Sequence, residues 1–275
     1  MKILHTPVVC GAEKPFTLLH ISDTHLTLAD ERNDQRKIDL AKGRSACFPA
    51  STLSDLEEAA KYAKEHNLTI VHTGDLIDFV SEANLDIAKK LTSENDVFFS
   101  AGNHEFSLYV GEAFEDEAYR NQSLAHVQEA FTNDIRFASR VINGVKLIAI
   151  DDSYYRFDRP QLEKLKEETE DNLPIILLMH NPIYEPELFR ISRPKGDSAY
   201  LTSTPDELMS DYSEYRFKQQ KADDITLETT EFIKSCPLIK AIFAGHLHYD
   251  YEGKLTESIP QYVTGIGTMR LIEIS

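Results

Sequence analysis

Cysteine is scarce in this chain of 275 residues, which contains only three. Cys10, Cys47 and Cys236 form no CxxC pair, and their number is odd. Proteins stabilised by disulfides are rich in paired cysteines, so this pattern argues against a disulfide framework. We therefore expect a reducing, cytoplasmic environment.

Long apolar runs are also missing. No stretch approaches the roughly 20 apolar residues that a membrane-spanning helix needs, so no membrane partner is expected. The N-terminus has Lys2 but neither a clean apolar run nor a small-residue cleavage pattern, which argues against a secretory signal. Apolar residues are nevertheless plentiful, since 41% of the chain is hydrophobic, which is enough for a full core.

Positive charge is in short supply. Lys and Arg number 29 against 46 Asp and Glu, which gives a formal net charge of −17. Such a surface repels nucleic acid at long range, so we expect no long nucleic acid as a partner. One basic group is expected to be solvent-exposed, with contact to a substrate phosphate as the alternative. Its members are Arg32, Arg36, Lys37, Lys42 and Arg44.

Five short apolar runs each end in a polar loop. The runs cover residues 16–21, 68–72, 97–100, 175–179 and 239–244. Short apolar runs bounded by breakers are typical of strands buried on both faces. Helical patterns occur between them, at residues 52–66, 82–91, 112–131, 161–168 and 226–235. The alternation of strands and helices predicts an α/β protein.

The C-terminal part has a different pattern, with strands predicted at residues 249–252, 259–263 and 269–274 and no helix between them. These strands predict a partner for a second sheet. We therefore expect an α/β fold in which two sheets pack face to face as a β-sandwich flanked by helices. One domain is expected over residues 1–275. The long irregular stretch 184–224 predicts a cap or lid inserted beside the site, with a plain surface excursion as the alternative.

Metal-ligand residue types follow all five apolar runs. They are Asp23 with His25, Asp75, Asn103 with His104, His180, and His246 with His248. Because ligands of open α/β sheets bind at the carboxyl ends of strands, these loops can converge on one point. A Gly precedes Asp75, Asn103 and His246, and it permits a sharp turn and a close approach of the backbone.

Each motif alone is weak, because DxH, GNHE or GHxH also occurs in solvated turns. The order of all five, each after an apolar strand, makes the set specific. The stretches are SDTHL (22–26), GDLID (74–78), GNHE (102–105), MHNP (179–182) and GHLH (245–248). They resemble the ordered motifs DxH, GDxxD, GNH[ED], H and GHxH of the calcineurin-like metallophosphoesterase superfamily. That resemblance covers nearly the whole chain and implies a β-sandwich flanked by helices.

The resemblance also implies a site for two metal ions. Seven residues would hold them: for the first ion Asp23, His25 and His248, for the second Asn103, His180 and His246, and for both Asp75. Mixed N and O ligands suit Mn, Fe, Zn, Co or Ni better than Mg or Ca. Two ions about 3.5–4 Å apart can bind a bridging hydroxide and clamp the phosphoryl oxygens through an in-line displacement.

Two further residues are implied in catalysis. His104 sits beside a ligand position and would protonate the leaving alkoxide or stabilise charge on the phosphoryl group. Asp78 resembles the family carboxylate that orients this histidine. For Glu105 we expect only a structural hydrogen bond. His20 and His72 lie within predicted strands and are expected to be core histidines with satisfied hydrogen bonds.

One departure from the family motifs is informative. The protein serine/threonine phosphatase branch extends the second motif to GDxxDRG, whereas Phe79 and Val80 follow Asp78 here. The arginine that would bind phosphate is therefore absent from that position, which argues against this branch. The motifs look more like the bacterial branch that includes cyclic-nucleotide phosphodiesterases and small-molecule phosphatases.

The expected function is that of a metal-dependent phosphoric ester hydrolase acting on a small phosphate ester. A phosphodiester of cyclic or linear nucleotide type is the first choice, and a phosphomonoesterase on nucleotides or other metabolites is the alternative. A catalytically silent metal-binding scaffold is the rival from another class. An intact His104 beside a full ligand set speaks against it, since a scaffold needs neither. A nuclease on long DNA is a weaker rival because of the acidic balance.

Overall fold

The computed structural model describes residues 1–275, and its strands form two mixed sheets. The first sheet has five strands in the order β1-β11-β2-β3-β4. Their bounds are Lys2–Val8 (β1), Phe16–Ile21 (β2), Thr69–His72 (β3), Val97–Phe99 (β4) and Thr268–Ile274 (β11). Strands β2, β3 and β4 run parallel, whereas β11 pairs antiparallel with β2 and parallel with β1.

The second sheet has six strands in the order β5-β6-β7-β8-β10-β9. Their bounds are Phe137–Ile142 (β5), Val145–Ile150 (β6), Ile175–Leu178 (β7), Ile239–Ala244 (β8), Tyr251–Lys254 (β9) and Pro260–Val263 (β10). The central strands β6, β7, β8 and β10 are parallel, and the antiparallel strands β5 and β9 form the two edges.

Nine α-helices connect these strands. They are Gln35–Ser45 (α1), Thr52–His66 (α2), Glu82–Glu94 (α3), Glu117–Arg120 (α4), Leu124–Gln128 (α5), Arg159–Glu167 (α6), Pro186–Ser192 (α7), Glu214–Gln220 (α8) and Asp224–Ser235 (α9). Three short 3-10 helices cover His104–Phe106, Arg193–Lys195 and Asp206–Met209. No helix combines the length and the apolar character that crossing a membrane requires.

The sheets pack face to face around a shared apolar core. Leu18 and Phe98 of the first sheet belong to the same buried cluster as Leu147, Ile176 and Phe243 of the second. A second cluster joins the outer face of the first sheet to α2 and α3, and a third joins the second sheet to α6 and α9. The layers therefore run helix, sheet, sheet, helix, which confirms the predicted sandwich flanked by helices.

Local sequence signals explain where individual helices begin and end. Asp158 caps α6 by accepting a hydrogen bond from the backbone N–H of Gln161, whose side chain bonds back to Asp158 N. Pro160 lies in the first turn, where its missing N–H costs nothing. Helix α2 covers the predicted range 52–66 and ends at Asn67, which adopts the left-handed conformation at φ 53°.

The prediction of one helix over residues 112–131 was wrong. That stretch contains only the short helices α4 and α5, separated by a turn at residues 121–123. Ser123 donates from Oγ to the carbonyl of Phe106, and Glu115 accepts from Gln219, so tertiary contacts override helix propensity here. Strands β1, β5 and β6 were not predicted.

Candidate metal centre

The five strand-end loops meet at one place, where the carboxyl ends of strands from both sheets converge. The loops after β2, β3 and β4 come from the first sheet, and those after β7 and β8 come from the second. Three groups of candidate ligand atoms within 4.8 Å of one another lie there. They are Asp23, His25 and His248; Asp75, His180 and His246; and His25, Asp78 and His104.

The first group contains the three residues predicted for the first ion. His25 Nε2 lies 3.0 Å from His248 Nε2 and 3.8 Å from Asp23 Oδ1. His248 Nε2 lies 3.5 Å from the same Asp23 oxygen. His25 Nδ1 lies 3.1 Å from Asp78 Oδ1, and a carboxylate only accepts, so Nδ1 carries a hydrogen and Nε2 is the ring nitrogen that faces the group.

The second group contains residues predicted for the second ion. His180 Nε2 lies 3.0 Å from His246 Nδ1 and 3.2 Å from Asp75 Oδ2. His180 Nδ1 donates to the carbonyl oxygen of Thr73 at 2.7 Å, so Nε2 is the ring nitrogen that faces the group. Asn103 lines the same cavity as Asp75 and His246.

Asp75 lies between the two groups. Its Oδ2 is 3.6 Å from His25 Nε2 in the first group, against 3.2 Å from His180 in the second. Its Oδ1 accepts from the backbone N–H of His104 at 2.9 Å. Burial opposes ionisation, but His180 and His104 outweigh it and hold the pKa of Asp75 well below its ordinary value. A carboxylate in this position can serve both groups.

The chemistry of the donors fits metal ions. Asn103 Oδ1 is buried without a hydrogen-bond partner, and buried amide oxygens rarely lack one. Two pairs of imidazole nitrogens face each other at 3.0 Å, one pair in each group. Four imidazoles, two carboxylates and one amide form a mixed N and O set of the kind that first-row transition ions prefer.

His104 and Asp78 lie together at the edge of the first group. His104 Nδ1 is 2.8 Å from the backbone carbonyl of Asp78 and 3.1 Å from its Oδ1. Burial would lower the pKa of His104, but Asp75 and Asp78 outweigh it and raise the pKa to about 10. This shift favours the protonated form of the ring, which lines the cavity.

Arg44 was expected to be solvent-exposed, but the structure places it beside the ligand groups. Its Nε and Nη2 lie 2.6 and 2.8 Å from the two carboxylate oxygens of Asp78, and it lines the cavity instead of facing bulk solvent. Phe48, four residues on, stacks on the His25 ring at 4.2 Å. Burial opposes ionisation of Asp78, but Arg44 and the two histidines hold its pKa far below the ordinary value.

Glu105 fastens two of the loops together. Its carboxylate accepts from the backbone N–H groups of Asp75, Leu76 and Gly102 at 2.7 Å each, and from Ile77 at 3.2 Å. The sequence predicted a structural hydrogen bond for Glu105, and the structure contains four. Burial and the nearby Asp75 raise the pKa of Glu105 to about 7.

The backbone of the ligand loops is unusual. Five candidate ligands have φ values between 48° and 68°, in the left-handed region: Asp23, His25, Asp75, His246 and His248. Non-glycine residues enter this region at a cost and concentrate at functional sites. A Cβ on Gly102 would lie 2.6 Å from the backbone N of Asp75, which explains why this loop needs glycine.

A sixth strand end also borders the site, after the unpredicted strand β6. Asp152 Oδ1 accepts from the backbone N–H groups of His180 and Asn181, at 2.9 and 3.0 Å, and its Oδ2 accepts from Thr202. Tyr155 Oη lies 2.6 Å from His246 Nε2. The missed signal was Asn143-Gly144, whose positive φ values form the tight turn between β5 and β6.

His20 and His72 are fully buried. The two ring nitrogens of His20 lie 2.8 Å from Thr73 Oγ1 and 2.9 Å from Thr264 Oγ1. His72 Nε2 lies 3.2 Å from Thr24 Oγ1. Burial lowers the pKa of His72 to about 3, so this ring is neutral, and both histidines have hydrogen-bond partners as expected for the core.

A cavity of about 770 Å³ opens beside the two ligand groups. The candidate ligands Asp75, Asn103, His246 and His248 contribute to its lining. Residues 110–115 form one further wall. The 184–224 segment contributes another wall through residues that include Lys195, Tyr200 and Arg216. The space accommodates a molecule considerably larger than a phosphate ion.

A two-sheet sandwich with such a cluster at its strand ends defines the class of metallophosphoesterase-like folds. The sequence profile of the calcineurin-like phosphoesterases matches residues 16–250, and the chain belongs to that family. No curated protein sequence matches the chain. Membership of this family confirms the predicted class of enzyme, a phosphoric ester hydrolase, and leaves its substrate open.

Solved structures of two phosphatases share the fold. Purple acid phosphatase PPD1 from yellow lupin (Lupinus luteus) seeds superposes with a TM-score of 0.55 at 11% identity, covering 92% of this chain. This chain spans 44% of the lupin enzyme, less than half of its length. A dimetal phosphatase from Danio rerio superposes with a TM-score of 0.50 at 13% identity, covering 91% of this chain and 88% of that one. At these identities the likeness concerns the fold alone.

Proposed function

We propose that the protein hydrolyses a small phosphodiester of cyclic or linear nucleotide type with the help of two metal ions. The observation that carries the proposal is Asp75, whose Oδ2 lies within 3.6 Å of a ring nitrogen in each ligand group. A carboxylate shared in this way is what a two-ion site requires. The orphaned Oδ1 of Asn103 supports the second position independently.

The proposed ligands are those predicted from the sequence. Asp23, His25 and His248 would hold one ion, Asn103, His180 and His246 the other, and Asp75 both. Mn, Fe, Zn, Co and Ni suit this donor set. Such ions, when bound, supply Lewis acidity to the phosphoryl oxygens and lower the pKa of water.

His104 is proposed as the proton donor to the leaving oxygen. Its Nδ1 is occupied by the carbonyl and carboxylate oxygens of Asp78, which leaves Nε2–H as the free donor. Asp78 is itself held by Arg44, so the imidazole has a fixed orientation. Proton transfer from Nε2 to the leaving oxygen would make the alcohol a better leaving group.

The 184–224 segment is proposed as a cap that shapes the substrate pocket. It begins just after His180 and is tied back to the strand-end loops, since Thr202 donates from Oγ1 to Asp152 Oδ2 at 2.8 Å. Side chains of its helix α8 also contact residues 110–115: Gln219 bonds Glu115 at 2.7 Å, and Tyr215 packs edge-on against Phe114. The two walls thus enclose the space beside the proposed metal site.

A screen after metal reconstitution tests the proposal. Protein loaded separately with Mn, Fe, Zn, Co or Ni is assayed on p-nitrophenyl phosphate, bis-p-nitrophenyl phosphate and cyclic nucleotides, with metal content measured on the same samples. We expect close to two ions per chain and faster hydrolysis of the diesters. Faster hydrolysis of monoesters would correct the substrate to a phosphomonoester. Two bound ions without hydrolysis of any ester would instead indicate a silent metal-binding scaffold.

A further inference from the structure

The basic side chains that line the cavity differ in how their charge is used. Arg44 is paired with Asp78, and Arg216 is paired with Asp197, its Nε lying 3.0 Å from Oδ2. Lys195 also lines the cavity but has no carboxylate within 4 Å. In a chain with a net charge of −17, this leaves Lys195 as the one lysine or arginine of the cavity lining whose charge is not paired with a carboxylate.

Lys195 is placed against an aromatic ring. Its Nζ lies 3.5 Å from the centroid of the Tyr249 ring, a cation–π distance. Tyr249 Oη lies 2.6 Å from Ser192 Oγ, which fixes the ring from its far end. Tyr249 follows His248 directly in the chain, so the pair stands beside the first ligand group.

A second ring stands beside the other ligand group. The centroid of Tyr200 lies 5.7 Å from that of His246, and its hydroxyl donates to Asp197. Its backbone has φ 57°, a left-handed conformation that costs energy for a tyrosine. The surrounding structure therefore holds this ring at the cavity wall against its own backbone preference.

The cavity wall formed by residues 110–115 has the opposite charge. Residues 110–115 include Glu112 and Glu115, both of which line the cavity. Glu112 is partly neutralised by Arg36 at 3.4 Å, whereas Glu115 accepts amide hydrogen bonds from Gln219 and Asn103 and has no basic partner. An anionic group in the cavity is therefore repelled from this wall and attracted toward Lys195.

We infer that Lys195, Tyr200 and Tyr249 form a subsite for the part of the ester that does not react. This subsite selects a substrate that carries a flat ring and a second anionic group, which among the proposed diesters favours the linear ones. The inference rests on the proposed function, because the reacting phosphoryl group is placed at the ligand groups. Lys195 covers one face of Tyr249 and Arg216 one face of Tyr200, so the remaining faces and edges of the rings supply contact area for a base. The ammonium group supplies the countercharge for a second phosphate or carboxylate.

Binding to the metal-free protein tests the subsite without catalysis. Calorimetry compares adenosine 5′-monophosphate with adenosine 3′,5′-bisphosphate, which differs by one phosphate. In Lys195→Gln we expect the bisphosphate to bind about three- to fivefold more weakly, the range for a partly exposed ion pair, and the monophosphate to bind as before. Tyr249→Leu should weaken both nucleotides by about tenfold, the cost of losing one stacking partner.

Lys218→Gln is the matched control. Lys218 lies in the same segment and its Nζ stands 4.6 Å from the ring centroid of Phe114, but it does not line the cavity. This variant should bind both nucleotides like the unmodified protein. Equal losses for the two nucleotides in Lys195→Gln, or no binding of either nucleotide by the unmodified protein, would overturn the subsite.

Kinetics on the reconstituted enzyme separates the subsite from the proposed function. The KM for p-nitrophenyl phosphate, which has no anionic group besides the reacting phosphoryl group, should stay the same in Lys195→Gln. A raised KM would place Lys195 at the reacting phosphoryl group and contradict the subsite. If the reconstituted enzyme hydrolyses no ester, the proposed function fails, while the calorimetric difference still decides the subsite.

Discussion

The ligand loops and the 184–224 segment face each other across one cavity, and they are held in different ways. The loops are held mainly by buried hydrogen bonds to the backbone, such as the four that Glu105 accepts from backbone N–H groups. In the segment, buried hydrogen bonds such as that from Thr202 to Asp152 are joined by partly exposed ion pairs, including Arg193–Asp211 and Arg216–Asp197. Such pairs each contribute only about 0–1 kcal/mol.

This difference has a functional meaning. Groups that act on the reacting atoms must be held in one geometry, whereas groups that recognise the rest of a substrate can vary between related proteins. Changes in the loops should therefore alter metal content and the chemical step. Changes in the segment should alter substrate preference and leave the ions in place.

The largest effect is expected for Asp75→Ala, which removes the carboxylate between the two ligand groups. More than one of the two expected ions should be lost, and hydrolysis should fall by more than about 10⁴-fold, above the range for a positioned acid–base group. Elemental analysis and initial rates measure the two changes. Asp197→Ala, a carboxylate of the segment, is the control and should keep both ions. Retention of both ions by Asp75→Ala would remove the bridging role.

His104→Gln is expected to have the next largest effect. Metal content and fold should be retained while kcat falls by about 10²–10⁴-fold. Esters with good leaving groups need less proton donation, so p-nitrophenyl esters should lose less activity than alkyl esters. Equal losses on both ester types would exclude protonation of the leaving group and leave electrostatic stabilisation.

Asp78→Asn should give a milder defect of the same kind. The substitution keeps the backbone carbonyl that lies 2.8 Å from His104 Nδ1, so one of the two contacts that orient the ring survives. It removes the charge that holds Arg44. The ratio of alkyl to p-nitrophenyl rates in this variant should lie between those of the unmodified enzyme and His104→Gln. A ratio below that of His104→Gln would show that Asp78 does more than orient the ring.

Asp152→Asn tests the junction between the two regions and should affect hydrolysis least. Burial raises the pKa of Asp152 from 3.8 to about 7 in the folded protein, so the folded state holds a proton that the unfolded state releases. The stabilisation from this group is present below about pH 4 and is lost as the pH rises to about 7. The asparagine variant keeps an acceptor for the N–H groups of His180 and Asn181 but has nothing to titrate.

Denaturant unfolding of the chelated proteins at several pH values measures this difference. Relative to Asp152→Asn, the unmodified protein should lose roughly 1.4 kcal/mol of unfolding free energy per pH unit between about pH 4 and pH 7, and no more above that. A difference that stays constant with pH would show that Asp152 is ionised throughout the range.

The ligand loops could be predicted from the sequence because each one combines two local signals. A short apolar run such as residues 16–21 marks a buried strand, and the polar residues after it, such as Asp23 and His25, mark the strand end. Parallel strands bring their carboxyl ends to one edge, so residues that follow different strands in the sequence lie close together in space.

The other walls could not be predicted in the same way. Arg44 lies on α1, a charged helix with Ala41 as its only buried residue, so no periodic pattern reveals the helix or its direction. Tyr200 and Lys195 belong to a segment of short helices and turns whose positions depend on distant contacts, such as that between Thr202 and Asp152. Residues 112–131 had helical composition, but the buried contacts of Ser123 decided otherwise.

The left-handed backbone of the ligand loops sets rules for redesigning the site. Asn, Asp and His enter this conformation more readily than other non-glycine residues. At Asp23, His25, Asp75, His246 and His248, ligands can therefore be exchanged within this trio at little conformational cost, whereas branched side chains such as Val would add backbone strain at each position. Replacing imidazoles by carboxylates at these positions would shift the preference toward harder ions such as Mg and Mn. Exchanging Asn, Asp and His at these five positions can therefore produce sites of different metal selectivity on the same fold.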